Sequence, residues 1–330
     1  MSSNFFASES SNAIPDGRKR FFSVVIPLYN KEKSITIALN SVLNQTHDAF
    51  EVIVIDDGST DLSASAVAML PDKRVRLIAQ PNQGVSVARN VGVRNAQSDY
   101  IAFLDADDYW HPDFLETIDR LIDICPSAGL FATSYRREEK NGKIVTLKLE
   151  PNIAAMPPGK MRDYFHAATF GELPFIPSST CISRWAFEGV GGFKPGVKVA
   201  EDWDMFARVA LRYSIIFTPE PKILYRRAAE NRATGRPLPL APWVFREEAR
   251  RLASSGKLPP ATARDLIEHV ARVELYTATT NLLNKNRHEV ILFLRGIKTK
   301  AFARKKLIIA AFMWLPLPLR SAIIKAKNKH

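Results

Sequence analysis

Only two cysteines, Cys125 and Cys181, occur in the 330 residues. They supply no disulfide framework and no metal-ligand spacing, which points to a reducing compartment. The six histidines are scattered and form no zinc cluster. Glycine-rich phosphate loops are missing as well: there is no G-x-x-x-x-G-K-[ST] and no G-x-G-x-x-G, so neither a P-loop nor a dinucleotide fold is signalled. The absence of G-x-S-x-G and H-E-x-x-H removes the commonest hydrolase and zinc-protease readings. Residues 1–20 are Ser/Asn-rich, lack the apolar core of a signal peptide and read as a loose tail. The longest uncharged apolar run, Leu307–Leu319, has thirteen residues and contains Pro316 and Pro318. A membrane-spanning helix needs about 20.

What is present is a globular composition, 46% apolar and 24% charged, able to bury a sizeable core. Positive charge is in excess, at a formal +12. Such a balance invites a nucleic-acid partner unless it is localised. Residues 285–330 hold 12 Lys+Arg and one acid, Glu289, a charge of +11, which leaves 34 Lys+Arg against 33 Asp+Glu elsewhere. A near-neutral body with a basic tail argues against nucleic acid and makes the tail the part to explain.

From Phe21 to Ile124 the hydrophobic period alternates between that of a buried strand and that of a helix. Phe22–Ile26, Glu51–Ile55, Val75–Ile78 and Tyr100–Leu104 read as strands. Between them, Ile35, Leu39, Val42 and Leu43 share a helical face, Leu62 to Leu70 is helical, and Val85–Ala96 is a helix whose Gly92 permits close packing. After Pro112, Leu115, Ile118, Ile122 and Cys125 line another helix. Alternation of this kind predicts an α/β fold, a Rossmann-like, mostly parallel sheet flanked by helices. Ligands of such sheets bind beyond the carboxyl ends of the strands. Acids collect there: Asp56 and Asp57 after the second strand, and Asp105, Asp107 and Asp108 after the fourth. Turn chemistry alone accounts for one such cluster, but two at equivalent places favour function. Asp105 and Asp107, at i and i+2 of an extended segment, point to the same side. Two carboxylates so placed suit a hard cation, Mn²⁺ or Mg²⁺, shared with phosphate oxygens.

Five ordered blocks then resemble family 2 glycosyltransferases of the GT-A fold. They are Ser23–Asn30 (SVVIPLYN), Val54–Asp61 (VIDDGSTD), Asn82–Asn90 (NQGVSVARN), Ile101–Asp108 (IAFLDADD), and Gly191-Gly192-Phe193 with Glu201-Asp202-Trp203-Asp204. The resemblance implies an inverting transfer from a nucleotide-sugar, a UDP-sugar, to a saccharide or lipid-linked acceptor in cell-surface polysaccharide or glycolipid biosynthesis. It implies that Pro27, Tyr29 and Asp57 surround the base, that Arg89 approaches the nucleotide or its phosphates, and that Asp105 lies near ribose and metal. Asp107 would ligate the metal, and Asp202 would be the general base with Glu201 in support. Independently, Trp203, Phe206, Ala210 and Tyr213 recur at helical spacing, which places Asp202 near a helix N-terminus whose dipole favours an ionised carboxylate. The alternative is that Glu201 and Asp202 only cap that helix. One departure stands out: no histidine follows Tyr225-Arg226. Arg226, Arg227 and Arg232 are then either diphosphate ligands or a solvated loop.

Pro237, Pro239 and Pro242 mark a boundary. The expected organisation is a tail over 1–20, a catalytic domain over 21–235, and a helical extension over 236–330, with Ala261–Asn284 as one of its helices. Arg304-Lys305-Lys306 precede the apolar run, and Arg320, Lys325, Lys327 and Lys329 follow it. An apolar segment with basic flanks suits the surface of an anionic membrane, which predicts a cytoplasmic protein held peripherally at the inner face of the plasma membrane. An ordinary helix docked on the body is the alternative. Two other function classes remain open at this point: a sugar-phosphate nucleotidyltransferase, separable by pyrophosphate release, and a non-enzymatic membrane- or nucleic-acid-binding protein.

Overall fold

The structure is a computed structural model and describes residues 19–197, 200–227, 238–241, 243–284 and 286–327. Most of the expected N-terminal tail, together with Arg232, Pro237, Pro242, Lys285 and Lys329, lies outside the described residues. The chain divides into two compact units, one formed by residues 1–162 and 171–231, the other by 163–170 and 232–330.

In the first unit β1 (Phe22–Leu28), α1 (Ile35–Leu43), β2 (Phe50–Asp56), α2 (Ser63–Ala68), β3 (Val75–Ala79), α3 (Val85–Asn95) and β4 (Tyr100–Phe103) alternate as the periodicity predicts. β1 lies between β2 and β4 and is parallel to both, and β3 joins β2 in parallel. There follow β5 (Tyr109–Trp110), α4 (Phe114–Ile124), β6 (Leu130–Glu138), β7 (Ile144–Thr146), α5 (Pro151–Ala154) and β8 (Gly159–Lys160). Next come α6 (Tyr164–Phe170), which belongs to the second unit, then β9 (Thr180–Ser183), α7 (Arg184–Gly189), α8 (Glu201–Ala210) and β10 (Ile215–Arg226). The main path of the sheet runs β3-β2-β1-β4-β9-β6-β10-β5. Its first four strands are parallel, whereas β9 runs antiparallel to both β4 and β6, so the sheet is mixed.

Alternate residues of the central strands serve opposite faces. Phe22, Val24, Ile26 and Leu28 of β1 pack with Ile35, Leu39 and Val42 of α1 and with Leu115, Ile118 and Ile122 of α4 in one fully buried core. Burying each such side chain contributes about 1.5–3 kcal/mol. On the other face α3 approaches closely, and a Cβ added to Gly92 would fall 2.2 Å from Val25 Cγ1. Pro27 is tolerated within β1 because the ladder with β4 ends at Val25↔Phe103, two residues earlier.

The second unit is helical: α6, α9 (Arg246–Ser254), α10 (Pro260–Thr280), α11 (Arg287–Gly296), α12 (Ala303–Trp314) and α13 (Leu317–Lys327). Ile309 and Met313 of α12 bury against Ala271, Leu275 and Ala278 of α10 and Val290 and Leu294 of α11. Glu268 of α10 accepts hydrogen bonds from Lys300 N at 2.7 Å and Ala301 N at 3.2 Å, which fixes the turn before α12. The apolar run is broken at its prolines: Pro316 lies between α12 and α13, and Pro318 stands in the first turn of α13. One member of the expected basic flank has another task. Arg320 is buried and donates to the carbonyl oxygens of Leu282 at 2.6 Å and Asn284 at 3.1 Å.

Candidate active site

Strand order reverses between the neighbours β1 and β4, because the chain returns from β3 at the edge to place β4 on the other side of β1. Such a reversal is where open α/β sheets bind ligands. Beyond β1 stand Tyr29, 46% exposed, then Asn30 and Lys31. Asn30 adopts a left-handed φ of 51°, which asparagine tolerates better than most residues. Its backbone N donates to Ser59 Oγ and its Oδ1 accepts from Thr60 N at 2.8 Å, joining this loop to the one after β2. Lys31 Nζ then reaches across the reversal to Asp107 Oδ2 at 2.7 Å. Both side chains are 14% exposed.

The two acids at the end of β2, Asp56 its last residue and Asp57 just beyond, behave differently. Asp56 Oδ1 accepts from Ser59 N at 3.0 Å, which is turn chemistry. Asp57 is buried, and its carboxylate accepts from Gln80 Nε2 at 2.7 Å, Gln83 N at 2.8 Å and Gly84 N at 2.8 Å. Those three donors pin its orientation and leave about one of its four lone-pair sites for a further donor. Pro27 is half-buried and faces Ile55, two residues before Asp57.

Arg89 joins the remaining parts. It enters from α3, is 2% exposed, and lies over the Phe193 ring with 5.0 Å to its centroid. Its Nη2 donates to Asp105 Oδ1 at 2.7 Å and its Nη1 to Glu201 Oε1 at 3.1 Å. Burial opposes the guanidinium charge, but Asp105, Glu201 and Asp202 outweigh it and hold the group above its ordinary range. Asn90, the next residue on α3, makes reciprocal bonds with the Phe193 backbone at 2.7 and 3.0 Å. Two consecutive residues of one block therefore anchor the Gly191-Gly192-Phe193 segment and the start of α8.

At that start Ala200 is left-handed, with φ 57°. Among the described residues it and Asn30 are the only non-glycines with positive φ, and both border these acids. Such backbone costs about 1–3 kcal/mol and tends to collect where function requires it. Of the three acids in the first turn, Asp204 is fully buried and paired with Arg208 at 2.6 Å and Lys194 at 3.0 Å, while Glu201 is paired with Arg89. Asp202 accepts from its neighbour's backbone, Trp203 N, at 2.9 Å. Burial first and Glu201 second raise its carboxyl to about 7, against the lowering influence of Arg89 and of that backbone donor. The helix dipole favours the ionised form, as the sequence suggests, but desolvation and the adjacent acid prevail.

Asp108 is not a ligand candidate by its surroundings. It is buried, accepts from Ser178 Oγ at 2.5 Å and Arg226 N at 3.2 Å, and so ties the end of β4 to β10. Burial, then Asp107 and Asp105, push its carboxyl well above the usual range. Arg226 and Arg227 pair with Glu138 at 2.9 Å and Glu139 at 3.1 Å. Asp105 and Asp107 do not lie on the extended segment that the sequence suggests: Ala106 and Asp107 form a turn, with Asp108 N donating to Asp105 O at 3.0 Å. Each carboxylate spends one oxygen on a different protein cation, Arg89 and Lys31 respectively. Among the described residues no group of three His, Cys, Asp or Glu side chains forms a metal site. Two carboxylates still fit a cation that takes its other ligands from phosphate and water. Lys31 and Ser178 escape sequence reasoning because each meets its acid across 70 residues or more. A lysine directly after the β1 loop is the one signal available.

A family model described as glycosyl transferase family 2 matches residues 23–189, a stretch that holds Pro27, Tyr29, Asp57, Arg89, Asp105 and Asp107 but not Glu201 or Asp202. An uncharacterized glycosyltransferase of Rickettsia felis is 41% identical over 125 residues, 37% of this chain and 20% of that protein. The chain thus spans about a fifth of the length of that relative. Glycosyltransferase GlyG of Streptococcus pneumoniae is 28% identical over 216 residues, 62% of this chain and 70% of GlyG. Among solved structures, residues 1–349 of S. aureus TarS in complex with UDP-GlcNAc superpose with a TM-score of 0.67 at 20% identity, covering 89% of each chain. Mannosyltransferase PcManGT from Pyrobaculum calidifontis, in complex with GDP-Man and Mn²⁺, gives 0.50 at 20% identity over 97% of this chain and 90% of its own. The structural likenesses bear out the expected GT-A fold. With half of its length matched, and the matched half supplying the acids at both strand ends, the chain belongs to glycosyl transferase family 2.

Proposed function

We propose that the chain is an inverting glycosyltransferase that moves a sugar from a UDP-sugar to an acceptor hydroxyl. The acceptor is a saccharide or lipid-linked precursor of cell-surface polysaccharide or glycolipid, met at the inner face of the plasma membrane. The observation that carries this reading is the division of labour at the start of α8, where Asp202 alone of three acids is not engaged by a cationic side chain in any hydrogen bond described above. A carboxyl raised to about 7 is poised to take a proton near neutral pH.

Asp202 removes the acceptor hydroxyl's proton as that oxygen bonds to the anomeric carbon and the bond to the nucleoside diphosphate breaks on the opposite face. The sugar passes through an oxocarbenium-like state, as in glycoside hydrolysis. Glu201 acts through Asp202, raising its proton affinity. Arg89 holds Glu201 and Asp105 in register and balances their charge. Tyr29, Pro27 and Asp57 form the cradle for the base, with the remaining acceptor site of Asp57 available to an imide N–H. Asp105 and Asp107 would hold Mn²⁺ or Mg²⁺, which when bound neutralises charge on the departing diphosphate. The UDP-GlcNAc carried by the TarS structure supports the choice of nucleotide, and the Mn²⁺ of the mannosyltransferase supports the cation. Family membership favours transfer to an acceptor over nucleotidyl transfer.

Asp202→Asn tests the central assignment. The variant is expected to bind a UDP-sugar as the native protein does, measured by calorimetry, and to lose about 10²–10⁴-fold in transfer to an acceptor. Full transfer by the variant removes Asp202 from the role of base.

A further inference from the structure

The second unit has an apolar face that its own core does not use. Ile309 and Met313 turn α12 inward, onto α10 and α11. On the opposite side, residues 304, 307, 308, 311 and 314 fall at helical spacing and are all exposed. Leu307 is 69% exposed, Ile308 58% and Trp314 64%. On α13, Leu319 and Ile323 are exposed too. A soluble helix places polar residues on such a face, and a contiguous apolar stripe rimmed by charge marks a contact surface.

The charge around the stripe identifies the contact. Arg287, Arg295, Lys298, Lys300, Arg304 and Lys305 are exposed in the same stretch of chain, against the single acid Glu289. Arg287 lies over the ring of Trp314, 5.0 Å from its centroid, so a cation sits at the very edge of the apolar surface. Two copies meeting through this face would bring like charges together. Base stacking on nucleic acid calls for aromatic rings, and the stripe is mainly aliphatic. Among the described residues no helix is long and apolar enough to cross a membrane.

We infer that this face of α12 and α13 lies on an anionic bilayer, with Leu307, Ile308 and Trp314 among the headgroups and the cations meeting lipid phosphate and carboxylate. Shallow burial of an apolar helical face, reinforced by basic residues, is how an interfacial helix holds, and tryptophan prefers that depth. The inference rests on the reading of the tail as a membrane contact and is independent of the transfer chemistry.

The test uses the full chain and vesicles without donor or acceptor. Native protein is expected to cosediment with vesicles of phosphatidylcholine mixed with phosphatidylglycerol, to release as salt rises, and to ignore phosphatidylcholine alone. Leu307→Ser, Ile308→Ser and Trp314→Ser together should weaken binding by about tenfold or more. Arg304→Gln with Lys305→Gln should weaken it about fivefold for each charge removed. Both variants alter exposed side chains, so unchanged circular dichroism and UDP-sugar binding are expected. Vesicle binding by the triple variant equal to native overturns the inference. So does native protein that ignores anionic vesicles but forms a dimer which the triple variant dissociates, since the stripe is then a contact between copies. Loss of UDP-sugar binding with vesicle binding intact defeats the catalytic reading and leaves this one standing.

Discussion

Glu201, Asp202 and Asp204 stand within one turn of helix, and their surroundings give them three separate tasks. Asp204 is neutralised by Arg208 and Lys194 and holds α8 in place. Glu201 faces Arg89, and Asp202 is left to titrate. A carboxyl raised to about 7 when folded, against about 3.9 in an unfolded chain, favours the folded state fully below pH 4 and loses that contribution as pH rises through 7. The role of base proposed for Asp202 needs the other protonation state. Transfer should therefore rise with pH, about tenfold per unit on the acid side of 7, and level off above. Asp202→Asn removes the charge that is costly to bury, so its melting temperature should exceed that of the native protein at pH 8 and match it near pH 4. Calorimetric scans at the two pH values check this. An unchanged difference between them means that Asp202 is not the group raised by burial.

At the level of elements, the contact of α3 with β1 decides where Arg89 and Asn90 point. Gly92 lies one turn or less beyond both, against Val25. Gly92→Val must push the helix off the strand, which costs about 1–3 kcal/mol in strain. In addition it should lower affinity for the UDP-sugar, because Arg89 and the α8 start move with the helix. Denaturant titration and calorimetry separate the two effects, and loss of stability with native affinity would disconnect α3 packing from the site. Gly92 and the whole β1–β4 half are legible in sequence because each element there keeps a single hydrophobic period. The acids at the strand ends are legible because they interrupt apolar runs abruptly. β6, β9 and β10 are not anticipated in the same way. β10 carries Pro219, Glu220, Pro221 and Lys222 in its middle, and its register with β6 shifts twice there. Its pairing is set by the partner strand and not by its own pattern. The Lys31–Asp107 bridge is invisible for the same reason, since the sheet alone brings residues 76 apart to one point.

For the whole molecule, the division of the chain is less simple than a cut at the proline cluster near residue 237. The second unit takes α6 from the middle of the sequence. Tyr164, Phe165, Ala167 and Ala168 are buried, and both aromatic rings pack on His269 of α10. Arg272 donates to the carbonyl oxygens of Ala168 and Thr169 at 2.7 and 2.8 Å, and His166 pairs with Asp265 at 2.8 Å. A chain ending at Gly235 keeps α6 but loses α10. Re-exposing two large aromatic side chains costs roughly 3–6 kcal/mol, a large part of the 5–15 kcal/mol by which a domain is typically stable. The shortened chain should bind a hydrophobic dye, precipitate on concentration and melt well below the full chain, even though every residue assigned to the base cradle and to catalysis is still present. Tyr164→Ser with Phe165→Ser should restore its solubility and, in the full chain, lower the melting temperature. If the shortened chain stays soluble and binds a UDP-sugar without those substitutions, α6 does not depend on α10 for the burial of its aromatic side chains.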